Sequence, residues 1–438
     1  MGLAPLNHPS FAELIRVSAR IGCLSFGGPA GQIALMHREL VDERRWVEEE
    51  DYLQALNLCH LLPGPEAQQL ATWIGWKLHG WRGGAIAGVL FVIPGALVML
   101  ALSILYGLAA DLEWFAAVFL GIKAAVLAII VQALLRIAGR AIKTPVQRVL
   151  AVLAFALLFL FNAPFPLVVI GALGIGGVIG RLRPGLLALK PVPPLTESLP
   201  SPWAATARAI VIWLAIWAAP MAAVLVFLGR DHVLWVIGVF FSQLAVVTFG
   251  GAYAVLSYMA QEAVTGFGWL SGGEMADGLG LAETTPGPLI MVTQFVGYLA
   301  AFRAPEPFTP VVAGVLGAAL TTWVTFAPCF LWIFALAPWM DRLQRAPSLK
   351  GGLAAVTAAV VGVIANLALW FALHVLFARV STMSAAGLKL QVPDLTTLDW
   401  RAGAIAILAA VLIFALRWSI VRTLIIAAGS GLLLSAVA

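Results

Sequence analysis

The chain has 438 residues, 62% of them hydrophobic and only 11% charged. A soluble domain carries about 25% charged residues, so a water-facing globule is excluded. The formal net charge of +5 is spread over loops instead of gathered into a patch, which argues against nucleic acid as a partner and for the cytoplasmic bias of Lys and Arg in membrane proteins.

The N-terminal stretch MGLAPLNHPSFAELIRVSAR has no apolar core ahead of its charges, so a cleavable signal is not expected. Residues 10–36 read as a helix interrupted at Phe26-Gly27-Gly28-Pro29, and 37–51 as a dense charged loop, HRELVDERRWVEEED. Residues 52–80 form a second interrupted stretch, broken at Pro63-Gly64-Pro65. The first stretch carries Glu13, Arg16 and Arg20, and the second carries Gln54, Asn57, His60, Glu66, Gln68, Gln69 and Thr72. A lipid-facing helix does not hold so many polar groups, and broken backbone at membrane depth is tolerated only inside the protein or along a wet cavity. Both stretches are therefore expected to be broken or re-entrant helices facing the interior; whether they cross or dip is left open. Apolar spans follow near 83–109, 115–141, 145–161 and 163–181, each close to the roughly 20 residues that cross a hydrocarbon core. A Pro-rich linker at 182–205 leads to one extra span at 206–228. Further broken stretches are expected at 232–264 and 271–302, then spans near 310–338, 350–378, 401–416 and 418–437, with a polar loop over 379–399.

The two sets of breaks are in register. Phe26-Gly27-Gly28 matches Phe249-Gly250-Gly251, and Pro63-Gly64-Pro65 matches Pro286-Gly287-Pro288, at one constant offset without a gap. Between them Glu39 falls on Glu262, Val41 on Val264, Trp46 on Trp269 and Leu56 on Leu279. After an insertion Pro94 pairs with Pro328, and 124–126 with 358–360. This pattern indicates an internal duplication: a repeat at 1–181, a linker with one extra span at 182–231, and a second repeat at 232–438. Arg82 precedes the span at 83–109, whereas Arg342, Arg345 and Lys350 follow the matching span at 310–338. With positive ends in the cytoplasm the halves are inverted. The expected fold class is thus an all-α polytopic membrane protein of two inverted homologous repeats with broken helices, an architecture of secondary transporters.

Each break stops a helix and restarts it, baring first-turn N–H groups and the positive end of a helix dipole. Such ends bind anions. Gly27, Gly28, Pro29, Pro63, Gly64, Pro65, Gly250, Gly251, Pro286, Gly287 and Pro288 are therefore candidate substrate-binding positions for a small oxyanion. Ser25, Gln32, Gln68, Gln69, Thr248, Thr284, Thr285 and Gln294 stand next to the breaks and are candidates to complete the shell; capping or bridging is the rival role of each. His60 and Glu283 occupy equivalent repeat positions before Pro-Gly-Pro, and with Glu66 they are candidates for proton coupling. For Glu66 a dipole-favoured acid at a helix start is the competing reading. Arg38 and Lys123 are candidates to attract anions, Lys123 against snorkelling to the interface. The three cysteines, Cys23, Cys59 and Cys329, have neither metal-ligand nor disulfide spacing. No metal or cofactor is implied, and no nucleotide-hydrolysing or hydrolase motif occurs, so an enzyme is not expected.

The stretch SFGGPAGQIALMHRELVDERRWVEEEDYLQALNLCHLLPGPEAQQ, with its weaker copy from TFGGAYAVLSYMAQEAV to AETTPGPLIMV, resembles the chromate ion transporter family of bacteria. The glycines and prolines named above match that family's signatures, except that Ala252 stands where the first copy has Pro29. The resemblance implies a two-domain member with antiparallel halves that exports chromate across the cytoplasmic membrane on the proton-motive force and confers chromate resistance. Sulfate, a chemically close oxyanion, and a passive anion channel are the alternatives. The expected partners are the oxyanion and membrane lipid, and a homodimer is left open.

Overall fold

The computed structural model describes residues 7–26, 28–109, 112–189, 202–249, 252–385 and 388–436. Helix α1 (Phe11–Leu24) is capped by Ser10, whose hydroxyl accepts from the Glu13 amide, and it buries the stripe Leu14, Val17 and Ile21 at helical spacing. It is followed by α2 (Gly28–His37), α3 (Glu49–Cys59) and α4 (Glu66–Ala109). The backbone of α4 leaves helical geometry at His79 and Gly80, so two helices meet there, between the stretch read as ending at 80 and the span read from 83. Then come α5 (Glu113–Ala141), α6 (Pro145–Phe161), α7 (Phe165–Leu182), α8 (Trp203–Phe227) and α9 (Val233–Val247). The chain continues through α10 (Ala252–Gln261), α11 (Gly272–Thr284), α12 (Val292–Arg303), α13 (Pro310–Leu336), α14 (Met340–Arg345) and α15 (Pro347–Leu376), and ends in α16 (Trp400–Ala410) and α17 (Ile420–Ala436).

Six of the described helices are long and apolar enough to cross a membrane: α4, α5, α7, α8, α15, and α13 with its continuation to Trp339. Their outward side chains fit lipid: α8 is apolar throughout from Ala209 to Phe227, yet no residue along that stretch is buried. In water such a surface would be an aggregation site; in a hydrocarbon core it is the expected exterior. The chain is an all-α polytopic membrane protein. One expectation fails: residues 379–399 are not a plain polar loop. They hold an antiparallel pair, β1 (Val380–Ala385) with β2 (Leu388–Pro393), in register Val380 to Pro393 and Ala385 to Leu388. Apolar and polar residues alternate in the second strand, Leu388-Lys389-Leu390-Gln391-Val392, a period-two signal outweighed at the sequence level by the polar composition of the whole segment.

The chain packs as two compact units, each assembled from separate stretches. The first comprises Met1–Ile104, Pro193–Ala252 and Thr285–Arg345. In it α13 packs on α8, α9 and α12, with Trp213 stacked on Phe330 and Phe334 at 4.9 and 5.3 Å. Helices α1 to α4 share a second apolar core around Tyr52, Leu58, Leu70 and Phe91. The second unit comprises Leu105–Val192, Tyr253–Thr284 and Ala346–Ala438. Its centre is α15, flanked by α5, α6 and α7, with α11, α16 and α17 around α5. Small residues let α7 and α15 approach closely: a Cβ on Gly176 would lie 2.3 Å from the Gly351 carbonyl oxygen.

Candidate functional site

Within the first unit the interrupted helices meet in pairs. Helix α1 ends at Ser25 with φ −76° and ψ 69°, and α9 ends at Thr248 with φ −76° and ψ 70°. Both residues centre inverse γ-turns, closed from Phe26 N–H to the Leu24 carbonyl and from Phe249 N–H to the Val247 carbonyl, each at 2.9 Å. The Ser25 and Thr248 hydroxyls donate back to the carbonyls of Ile21 and Leu244, both at 2.6 Å, and so satisfy the ends of their own helices. That leaves the Ser25 and Thr248 carbonyls for other partners. Gly287 N–H donates to Ser25 O and Gly64 N–H donates to Thr248 O, both at 2.8 Å. Each Pro-Gly-Pro turn is thus bonded to the helix end from the other half of the sequence, and both turns are buried.

The glycines are required by their backbone. Gly64 has φ +116° and Gly287 has φ +95°, a region side-chain-bearing residues avoid. Gly95 on α4 supplies the seat for the second turn: a Cβ there would stand 2.5 Å from the Pro286 carbonyl oxygen. Its neighbour Pro94 has no N–H, so the Leu90 carbonyl loses its helical donor. Gly22 of α1 closes on that carbonyl, where a Cβ would lie only 2.2 Å away.

The polar side chains named from the sequence are also gathered here, but they brace the turns instead of pointing free donors inward. Gln32 Nε2 donates to Gly287 O at 2.6 Å and to Ser25 O at 3.3 Å. Gln69 Nε2 donates to Pro63 O at 2.7 Å, and Gln68 Nε2 donates to the Thr72 hydroxyl at 3.1 Å. Gln294 Nε2 donates to Ala96 O at 2.8 Å while its Oε1 accepts from the Thr322 hydroxyl at 3.0 Å. The buried Oε1 atoms of Gln32, Gln68 and Gln69 have no partner among the described residues. The turn glycine amides are occupied as well. The donors left by the geometry are those of the restarted first turns, Glu66 to Gln68 in α4 and the start of α2 at Gly28, whose φ is +70°. Thr285 is buried beside Pro286. Gly27, Gly250 and Gly251 lie outside the described residues, as does the side chain of Thr284.

The chromate transporter family model matches residues 12–179 and 235–433. The chain belongs to the chromate transporter family. It is 34% identical to the "Chromate transport protein" of Pseudomonas aeruginosa over 82% of this chain and 80% of that protein. It is 30% identical to the "Probable chromate transport protein" of Synechococcus elongatus over 82% of this chain and 84% of that one. An "Uncharacterized transporter" of Methanocaldococcus jannaschii is 26% identical over 84% of this chain and 86% of its own length. No solved structure matches the chain. The family is one of transporters, not enzymes, and among the described residues no His, Cys, Asp and Glu cluster has the make-up of a metal site.

In this chromate transporter family member the titratable candidates separate. Glu66 opens α4 and pairs with His60 at 3.8 Å, the His60 side chain being 52% exposed. Glu283 is buried near the end of α11, in the second unit. Arg38 is 61% exposed and paired with Glu43 at 3.6 Å. It lies in a π-helical segment, 38–43, whose counterpart 262–266 recurs after α10. Glu39 in that segment is the buried charge there, held by Arg20 at 3.4 Å and Arg44 at 3.2 Å.

His37 anchors the charged loop. It bonds Glu49 at 2.5 Å and Asp42 at 3.2 Å and meets Tyr52 edge to face at 5.1 Å. Burial lowers its pKa, but the bonds and charges of Glu49 and Asp42 outweigh that and raise it above the ordinary 6.5. A raised value means the contribution is complete below the ordinary value and lost as pH rises through the raised one. Limited proteolysis of 37–51 is accordingly expected to accelerate with rising pH in the wild type. In His37→Ala it is expected to be fast at every pH.

Two residues that sequence reasoning missed stand out in the second unit. Asp277, in the middle of α11, is 6% exposed and accepts from the Tyr106 hydroxyl at 2.7 Å. The available signal was a lone carboxylate inside the run MADGLGLA. Lys123, half-buried on α5, reaches the start of α11, where a Cβ on Gly273 would stand 3.9 Å from its Nζ.

Proposed function

We propose that the protein is a secondary active exporter of chromate, a tetrahedral oxyanion, driven by the proton-motive force across a bacterial cytoplasmic membrane. Its two halves are inverted copies of one plan, and the oxyanion is held near the midplane where the interrupted helices meet. The observation that carries this reading is the reciprocal pair of bonds, Gly64 N–H to Thr248 O and Gly287 N–H to Ser25 O. A two-fold relation of repeats would produce such an exchange and would set helix starts, hence uncompensated N–H groups and dipole ends, beside the two buried turns. The match of the family in two segments, 12–179 and 235–433, and the recurrence of the caps, the π-helical segments and the buried Pro-Gly-Pro turns support the repeat. The names of the relatives support chromate. The first-turn amides of α4 and α2, with Ser25, Thr248 and Thr285 close by, would face the anion. The orphaned Gln32, Gln68 and Gln69 oxygens suit its water or a protonated oxygen of the guest. Alternating access would break and remake the exchange on the two sides in turn.

Everted membrane vesicles test the reading. Energised vesicles are expected to accumulate chromate, a protonophore to abolish accumulation, and excess sulfate to leave most of it. Uptake indifferent to the protonophore would mean a passive channel, and full competition by sulfate would mean a sulfate carrier.

A further inference from the structure

We propose that Asp277 is the proton-carrying group of the transport cycle, with Lys123 as its counter-charge and Tyr106 as the donor that holds it in place. This rests on the proton-driven reading above and names the residue that serves it. Asp277 is enclosed, and only one of its two oxygens is satisfied: Oδ2 by the Tyr106 hydroxyl, while the buried Oδ1 has no hydrogen-bond partner among the described residues. An unpaired buried carboxylate oxygen is costly to a fold, and that cost is tolerated where function uses it. A proton on Oδ1 leaves a neutral acid whose other oxygen still accepts from Tyr106. Without the proton, Lys123 supplies the opposite charge. The group therefore has two states, and the proton is the only species exchanged between them.

The surroundings restrict what else can titrate with it. Helix α11 packs on α5, α15 and α17. From α5 comes Lys123. From the end of α4 comes Tyr106, itself packed edge to face on Phe115 and Phe119. From α15 comes His374, which lies against Gly272 at the start of α11 and is bonded to the Trp370 carbonyl. Arg422 of α17 is exposed. On α11 itself are Glu274, which caps the helix start at the Ser271 amide, and Glu283. The pair is not repeated in the sequence: at the repeat offset Asp277 falls on Gln54 and Lys123 on Thr357, neither of which has an ionisable side chain. Helix α11 runs directly into Pro286-Gly287-Pro288, so a change of charge at Asp277 has a covalent route to the second turn. In the orientation proposed from the charges, the Tyr106 end of α4 is the outer one, where an exporter driven by proton entry takes its proton.

The test uses purified full-length protein in liposomes, with labelled chromate and two readouts: accumulation driven by an imposed pH gradient, and counterflow exchange without one. Asp277→Asn is expected to keep counterflow and lose gradient-driven accumulation together with its pH dependence. Accumulation at the wild-type level in Asp277→Asn would overturn the proposal. Loss of both readouts would also overturn it, by making Asp277 part of the scaffold or of the oxyanion path. Failure of the underlying reading looks different: the wild type itself would show no gradient-driven accumulation.

Discussion

Replacing Gly287 or Gly64 by leucine is expected to abolish chromate transport while the protein still inserts in the membrane. At both positions the backbone lies at positive φ, which costs a side-chain-bearing residue about 1–2 kcal/mol. The surroundings then decide the outcome. A Cβ on Gly287 would lie 3.2 Å from the Gly95 Cα, backbone that cannot rotate away. A Cβ on Gly64 would lie 2.7 Å from Cys329 Sγ and 3.0 Å from Gln69 Nε2, the latter being the atom that braces Pro63. Either leucine therefore pushes its turn off the partner helix end and breaks one of the two exchanged bonds. If the two exchanged bonds act as a pair, as proposed, each single substitution is expected to disable the whole cycle. Vesicle uptake with quantified membrane protein checks this, and alanine at each position is expected to give intermediate rates. Wild-type uptake in both leucine variants would remove the turns from the transport site.

Local chemistry made much of this architecture legible. Proline and glycine act on their own backbone, so the interruptions at 26–28, 63–65 and 286–288 could be placed from residues alone, as could the apolar spans between charged ends. What the sequence did not disclose is which groups those breaks engage. Nothing near Gly64 announces that its amide will meet the Thr248 carbonyl, because that contact joins distant stretches and depends on backbone direction, not composition. The same holds for Asp277 and Tyr106. Each is unremarkable in its own window, and only packing makes them a pair. Gln32, Gln69 and Gln294 were named beside the breaks as candidates for the shell, with capping or bridging as the rival role, but composition did not give their partners: Gln32 and Gln69 donate to backbone carbonyls at the breaks, and Gln294 to Ala96 O inside α4. The strand pair at 380–385 and 388–393 was missed because its alternation is short and its polar residues resemble a loop. The packing units draw on both halves of the sequence, a regrouping that composition and hydropathy do not disclose.

Gln32→Glu is expected to stop transport although it changes the side chain by little more than one atom. Gln32 is 1% exposed, and its amide nitrogen serves two carbonyls at once, Gly287 O and Ser25 O. Those two residues form one arm of the exchange, so this side chain clamps the donor strand and the acceptor strand together. An ionised glutamate has no proton to give and would set oxygen against oxygen at 2.6 Å. It would also add negative charge beside the site proposed for the oxyanion. Gln32→Leu separates the two effects: it removes the donor without adding charge, and leaving the buried carbonyl unserved costs about 1–3 kcal/mol. Leucine is therefore expected to lower thermal stability and slow uptake, and glutamate to abolish uptake even in protein that elutes as folded. Because the first-half turn is braced by Gln69 on Pro63 instead, Gln69→Leu is expected to act like Gln32→Leu. Equal uptake by the leucine and glutamate variants at position 32 would mean that the clamp matters only for folding and that the anion passes elsewhere.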